Sequence, residues 1–370
     1  MNKYPILMTT GPLALSDEVK SEMRFDVDPT SLQFRLTTAF LREVILDMVS
    51  GGGTHSVVPI SGDGALAVEV ALSSFVTETD RPLVCVNGNC GEQILKIMRL
   101  RGIEVHSLYA PFDRPFSLGD VAACFEAHQN ISHLCFAHCE ASTGIVNPIV
   151  ELVQLAKKYR VKTIVDAVNS FGAVEICTRE IPFDVMVTSS DKCIEAPPGV
   201  SFVVASLTEL ENTTMTPGSL ILDVRSQWRN FEKTGQWSSI PSTHSVQACK
   251  KALELLAVEG VIKRGIRYAA VSDEIVRATE RYAAPLLQAR VRSPSCVALT
   301  SHNMIDTQRD FDALYTHLIR HNVYIDPKFH LKTRSFTIGN MGAVKPTWIC
   351  LLATAFRSFF QPTSHHQTSH

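Results

Sequence analysis

Three short segments carry residues whose chemistry is complementary. The first is Gly62-Asp63-Gly64-Ala65-Leu66-Ala67, a G-x-G-x-x-A turn between a β-branched run at 57–60 and a helical pattern at 64–75. Glycines at such a turn let the backbone approach a ligand, and the helix start offers unpaired N–H groups and a positive dipole end, which suits phosphate. The second is Asp166, closing the apolar run Thr163-Ile164-Val165-Asp166. In an open α/β sheet that end of a strand borders the ligand crevice. A carboxylate there could ligate a metal, act as a base, pair with a protonated ring nitrogen or cap a helix. The third is Lys192, just past a run at 184–188 with Ser189 and Ser190 before it. A lysine so placed can form a Schiff base beside a phosphate.

The glycine turn alone would also fit a dinucleotide, with Glu78 or Asp80 only loosely at the acidic position about twenty residues on. That reading leaves Lys192 without a role. Taken in chain order, the three segments supply a phosphate cup, a pyridinium partner and an imine-forming amine, which are the parts pyridoxal phosphate requires of its protein. A metal is not expected. His133, Cys135, His138 and Cys139 are close in sequence, but strand alternation sends them apart and a tetrahedral site needs four converging ligands. The remaining cysteines are scattered without a C-x-x-C, so reduced thiols are expected.

Positioning these groups needs a sheet. Apolar runs at 57–60, 83–86, 104–109, 133–137 and 163–166 alternate with helical patterns at 64–75, 91–100, 118–128 and 149–159. Continuous apolar strands separated by helices predict a mostly parallel sheet covered on both faces. The runs at 184–188 and 200–205 lie too close for a helix between them, which predicts one antiparallel hairpin. Residues 228–242 read as a long irregular loop, followed by helices at 243–259 and 262–281. Strands at 297–300, 323–325 and 335–338, with helices at 311–321 and 348–360, read as a smaller α+β unit. The expected division is an N-terminal arm 1–15, a large domain 16–245, a small C-terminal domain 246–360 and a polar disordered tail 361–370.

Composition agrees with a globular fold: 45% of residues are hydrophobic and 19% charged, enough for a core and too apolar for disorder. A net charge of −2 gives no general attraction to nucleic acid or to anionic membranes, so neither partner is expected. No apolar run approaches the roughly 18 residues of a membrane helix. Met1-Asn2-Lys3-Tyr4-Pro5 does not open a signal-peptide pattern. The expectation is a soluble, cytoplasmic protein.

Further segments fall into register with a known family. Thr10-Gly11-Pro12-Leu13, His138-Cys139-Glu140-Ala141-Ser142-Thr143-Gly144, Asn147-Pro148-Ile149, Asp166-Ala167-Val168-Asn169-Ser170, Ser189-Ser190-Asp191-Lys192-Cys193, Gln227-Trp228-Arg229 and Ser242-Thr243-His244 occur in order along the chain. Over nearly its whole length the sequence resembles the class V, fold-type I pyridoxal-phosphate aminotransferases. Within them it is most similar to the branch that moves an amino group from a small aminophosphonate to a keto acid such as pyruvate. The resemblance implies a seven-stranded, mostly parallel sheet between helices plus the smaller α+β domain. It implies that Lys192 forms the imine with the cofactor and shuttles the proton, and that Asp166 keeps the ring nitrogen protonated. Thr143 would lie near the ring hydroxyl. Gly62, Asp63, Gly64, Ala65 and Ser189 would lie around the phosphate, and Gly11 on the substrate side. Thr243 would reach the phosphate of a neighbouring subunit's cofactor, so the active form would be a homodimer with shared sites.

Five positions depart from the family pattern. Asp63 and Ala65 replace hydroxyl donors at the phosphate turn, and Cys90 replaces the aromatic that stacks on the cofactor ring. Gln93 stands where the helix often carries arginine. Thr337, in Phe336-Thr337-Ile338-Gly339-Asn340, replaces the arginine that grips a keto acid's carboxylate. Arg334 lies three residues upstream, although alternation puts it on the other face. Another cation then substitutes, or the acceptor is not pyruvate, or the chemistry is of a lyase type that needs no acceptor. A relative that has lost activity is the remaining reading.

Overall fold

The computed structural model describes residues 4–212, 219, 221–302 and 304–361. Positions 362–370 of the expected tail and 1–3 of the expected arm lie outside the described residues. The chain opens with strand β1 (Ile6–Met8) and helices α1 (Asp17–Glu22) and α2 (Leu32–Met48). Ser16 and Ser31 cap these helices, each accepting from the backbone N–H three residues on. An alternating series follows: β2 (His55–Ser61), α3 (Gly64–Phe75), β3 (Pro82–Val86), α4 (Asn89–Leu100), β4 (His106–Tyr109), α5 (Leu118–Ala127) and β5 (His133–Ala137). A short hairpin, β6 (Cys139–Glu140) with β7 (Ile145–Val146), leads to α6 (Ile149–Lys158), β8 (Lys162–Asp166), β9 (Val185–Ser189) and β10 (Val200–Ser206). Then come α7 (Leu207–Glu211), α8 (Val224–Thr234), α9 (Thr243–Glu259) and α10 (Val261–Thr279).

Seven strands form one sheet in the order β2-β10-β9-β8-β5-β3-β4. The pairs β8–β9, β5–β8, β3–β5 and β3–β4 are parallel, whereas β10 runs antiparallel to both β2 and β9. Residues 190–199 are too few for the roughly dozen-residue crossover that a parallel return requires. Side chains alternate between two cores. Leu134 and Phe136 of β5 join Phe34, Leu41, Leu152 and Leu253 on one face. Cys135 faces the other way, with Val68, Leu72, Ile94 and Met98 of α3 and α4. Burial on both faces explains why the strands read as unbroken apolar runs.

The last third contains β11 (Ala283–Pro285), β12 (Cys296–Ser301), α11 (Gln308–Arg320), β13 (Val323–Ile325), β14 (Phe329–His330), β15 (Ser335–Gly339) and α12 (Pro346–Phe360). Its four-stranded sheet has the order β11-β12-β15-β14, and β1 pairs with β13, tying the N-terminus to this part. Two expectations need correction. Residues 228–242 are not all loop, because α8 occupies the first half, capped by Asp223 and ended by Gly235 at φ 67°. The boundary expected at 245 falls inside α9, whose Val246, Cys249, Leu253 and Leu256 are buried in the core of the large sheet. Among the described residues, no helix is long and apolar enough to cross a membrane.

Candidate active site

The carboxyl ends of β8 and β9 and the starts of α3 and α4 surround one cleft, closed on its far side by residues 326–330 and the N-terminal loop. Asp166 is the last residue of β8. Its carbonyl accepts from the His138 N–H at 2.8 Å, and its Oδ1 accepts from the Val168 N–H at 2.9 Å. Burial pushes this carboxyl up to about 6; the Val168 N–H works against that shift, the Glu140 charge adds to it and the Lys192 ammonium opposes it. A buried carboxyl so penalised is suited to a cationic partner.

Lys192 follows β9, half-buried, with its Nζ 3.1 Å from Asp191 Oδ2. The other oxygen of Asp191 accepts the Ser189 hydroxyl, and Ser201 donates to Ser189 Oγ at 3.2 Å. Gly11, at φ 146°, closes over the lysine; a Cβ there would stand 2.2 Å from Lys192 Nζ, so a side chain at this position would displace the amine.

At the start of α3, Asp63 is the cap and accepts from Leu66 N–H at 2.9 Å. The N–H groups of Gly64 and Ala65 belong to the first turn, which has no intrahelical acceptor. A Cβ on Gly64 would come within 2.8 Å of Val168 Cγ1, so glycine lets the helix start settle onto the strand-end loop. Cys90 and Gln93 of α4 line the cleft. The Cys90 N–H donates to Glu140 Oε2 at 2.8 Å, and burial raises the Cys90 thiol well above its ordinary pKa, with the charges of Glu140 and Asp166 adding to the effect. Glu140 Oε1 accepts from the N–H and hydroxyl of Ser142, and the Asn89 N–H donates to Ser142 Oγ at 3.2 Å, which ties the 140–142 loop to α4.

The remaining sequence candidates separate. Thr143 is fully buried next to cleft-lining Ser142, and its hydroxyl has no partner among the described residues. Thr337 is also fully buried and donates to the Ser142 carbonyl at 3.1 Å, one layer behind the cleft wall. Thr243, the first residue of α9, is half-buried and does not line its own chain's cleft. Arg334 is a correction. It precedes β15 at φ 48°, is solvent-exposed, and pairs with Asp306 at 3.5 Å outside the cleft. Three lining residues carried no sequence signal: Asp326, Lys328 and His330. They reach the cleft through tertiary packing, anchored where Thr10 Oγ1 donates to Asp326 Oδ2 at 2.6 Å.

Residues 32–314 match the aminotransferase class-V family model. The chain belongs to the class-V aminotransferase family. A 2-aminoethylphosphonate–pyruvate transaminase from Pseudomonas putida (strain W619) is 33% identical over 351 residues, covering 94% of each chain. Another so named, from Burkholderia lata, is 34% identical and covers 91% of this chain and 90% of its own. Among solved structures, alanine–glyoxylate aminotransferase from Nostoc sp. superposes with a TM-score of 0.89 at 20% identity, covering 98% of this chain and 96% of that one. Pyridoxamine-pyruvate aminotransferase from Mesorhizobium loti gives 0.84 at 21% identity, covering 96% and 92%. These likenesses establish the fold: α/β, with the mostly parallel sheet of the fold-type I aminotransferases.

The class-V residues fit pyridoxal phosphate best at the ring end. Asp166 would offer a buried carboxyl to a protonated ring nitrogen and Lys192 an amine within the same cleft, and Thr143, fully buried behind Ser142, carries an unpartnered hydroxyl. At the phosphate end the donors would be the first-turn N–H groups of α3, because the Ser189 hydroxyl is engaged by Asp191.

Proposed function

We propose that the chain catalyses pyridoxal-phosphate-dependent transfer of an amino group from 2-aminoethylphosphonate, or a related small amine, to a keto acid such as pyruvate, giving phosphonoacetaldehyde and alanine. The observation that carries this reading is the meeting of Asp166 and Lys192 in one cleft, at the carboxyl ends of adjacent strands. Relatives at about a third identity over most of the chain bear that activity in their names. When bound, the cofactor supplies the electron sink that makes a carbon-bound proton removable.

The chain's own groups do the rest. The Lys192 amine would anchor the cofactor and carry the proton to and from the substrate carbon, and the Asp191 carboxylate at 3.1 Å orients it. Asp166 keeps the ring nitrogen protonated by pairing with it in a buried setting, where the ion pair is screened little. Val168 lines the cleft between these groups, and the Gly64 and Ala65 N–H groups would hold the phosphate. We place Thr243 at the phosphate of a partner subunit, making a cytoplasmic homodimer the working form. Its position outside its own chain's cleft supports that placement.

The test is the visible absorption band of the loaded protein. Addition of 2-aminoethylphosphonate without a keto acid should bleach it, and Lys192→Ala should abolish both band and activity. Retained activity in Lys192→Ala would sink the mechanism. A second reading, the same cofactor used on another amine or in lyase chemistry, draws on Thr337 standing behind the cleft wall. A band that forms but ignores the phosphonate would favour it.

A further inference from the structure

The charges lining the cleft are lopsided. Five carboxylates face two ammonium groups, and no arginine is among the lining residues. Each carboxylate nevertheless has a partner. Asp63 caps α3, Glu140 binds Ser142 and the Cys90 N–H, and Asp166 accepts from Val168. Asp191 holds Ser189 and Lys192, while Asp326 accepts from the Thr10 hydroxyl and from the Lys328 N–H at 3.3 Å. Of the two lysines, Lys192 is committed to the cofactor. The Lys328 ammonium makes no ion pair or hydrogen bond among the described residues, yet it lines the cleft.

Lys328 also lines a second hollow, which shares Asn89 and His330 with the first. The other cation of that hollow, Lys332, lies 4.5 Å over the Phe112 ring and is partly satisfied there. Lys328 therefore stands where the two hollows join, an exposed cation whose ammonium has no partner among the described residues. The alternatives are removed by position: Thr337 is buried behind Ser142, and Arg334 is outside, paired with Asp306.

On the transaminase reading above, we propose that Lys328 binds the anionic group of both substrates, the donor's phosphonate and the acceptor's carboxylate, in place of the arginine that the family carries at the position of Thr337. One cation can serve both because donor and acceptor occupy the cleft in turn. An ammonium is a compact point charge rather than a planar fork, so it accepts tetrahedral and planar anions alike. Acceptor choice should accordingly be broad among small keto acids.

The test uses the cofactor-loaded protein and methylphosphonate, an anion that cannot react. Calorimetry should show Lys328→Ala binding it about ten- to a hundredfold more weakly, the range of one charged hydrogen bond, with Lys328→Arg close to the native protein. In steady state, Lys328→Ala should raise the KM for 2-aminoethylphosphonate and for pyruvate by a similar factor and leave kcat within about threefold. In the half-reaction without a keto acid, propylamine, which lacks the anion, should bleach the band at the same rate in both proteins. Unchanged methylphosphonate affinity in Lys328→Ala would overturn the proposal, as would an equal loss with propylamine, which marks a merely structural role. If the native protein binds methylphosphonate through Lys328 but does not react with 2-aminoethylphosphonate, the transaminase reading fails and the anion site stands.

Discussion

Burial sets the behaviour of Asp166 more than any charge near it. Its folded-state pKa of about 6 lies above the ordinary 3.8, so the folded chain holds this proton more tightly than the unfolded chain does. Without cofactor, folding is therefore favoured at low pH by this residue, and the benefit is lost as pH rises from about 4 through about 6. The amount is on the order of 2–3 kcal/mol. Asp166→Asn removes it. In urea titrations of cofactor-free protein, the variant should gain on the native protein by that amount between pH 4 and pH 7. His133 and His138, which burial pushes down to about 4, titrate alike in both proteins and cancel in the difference. A pH-independent difference would mean that Asp166 ionises like an exposed carboxyl. The types and order of Asp166 and Lys192 were readable in the sequence because strand-end positions are fixed by local pattern. Arg334 fails as a substrate cation for a local reason as well: it sits just ahead of the strand, where a positive φ turns it outward to Asp306.

Helix α3 shows what an element contributes beyond its residues. Its bounds, Gly64–Phe75, follow from a turn with a capping residue and a largely apolar, proline-free run buried against the sheet. Asp63 is a good cap and a poor neighbour for a phosphate, and the two roles can be separated. Asp63→Ala should cost about 1 kcal/mol of stability through the lost cap. Asp63→Ser should keep stability within a few tenths of that and tighten pyridoxal phosphate several-fold, up to about tenfold, by removing one exposed like charge. Melting curves without cofactor and equilibrium dialysis with it check the two halves; unchanged affinity in Asp63→Ser would place the carboxylate away from the phosphate. Helices α2 and α8 escaped the same reading. Exposed Leu32 and Leu36 blur the apolar stripe of α2, and α8 buries only Val224, Arg225 and Phe231. The loop at 326–330 was illegible for a different reason. Its only regular element is the two-residue β14, and its place beside Lys192 depends on β1 pairing with β13 from opposite ends of the chain.

For the whole molecule, the decisive quantity is where Thr243 works. The segments around it expose large apolar side chains: Phe25 is 62% exposed, Leu36 62% and Ile240 81%. These segments are linked, since Trp237 Nε1 donates to Thr38 at 3.0 Å and His244 lies 3.2 Å from Asp26. Exposed apolar residues gathered on linked segments mark an interaction face, and Thr243 lies beside it at the start of α9. If that face joins two copies about a twofold axis, each site takes Lys192 from one subunit and Thr243 from the other. Lys192→Ala and Thr243→Ala proteins, each impaired alone, should then complement. In a mixed dimer one site carries both substitutions and the other carries neither. Random reassortment of equal amounts makes about half the dimers mixed, so about a quarter of all sites, and of native activity, should return. If Thr243 served its own chain, every site in the mixture would lack one of the two groups and mixing would restore nothing.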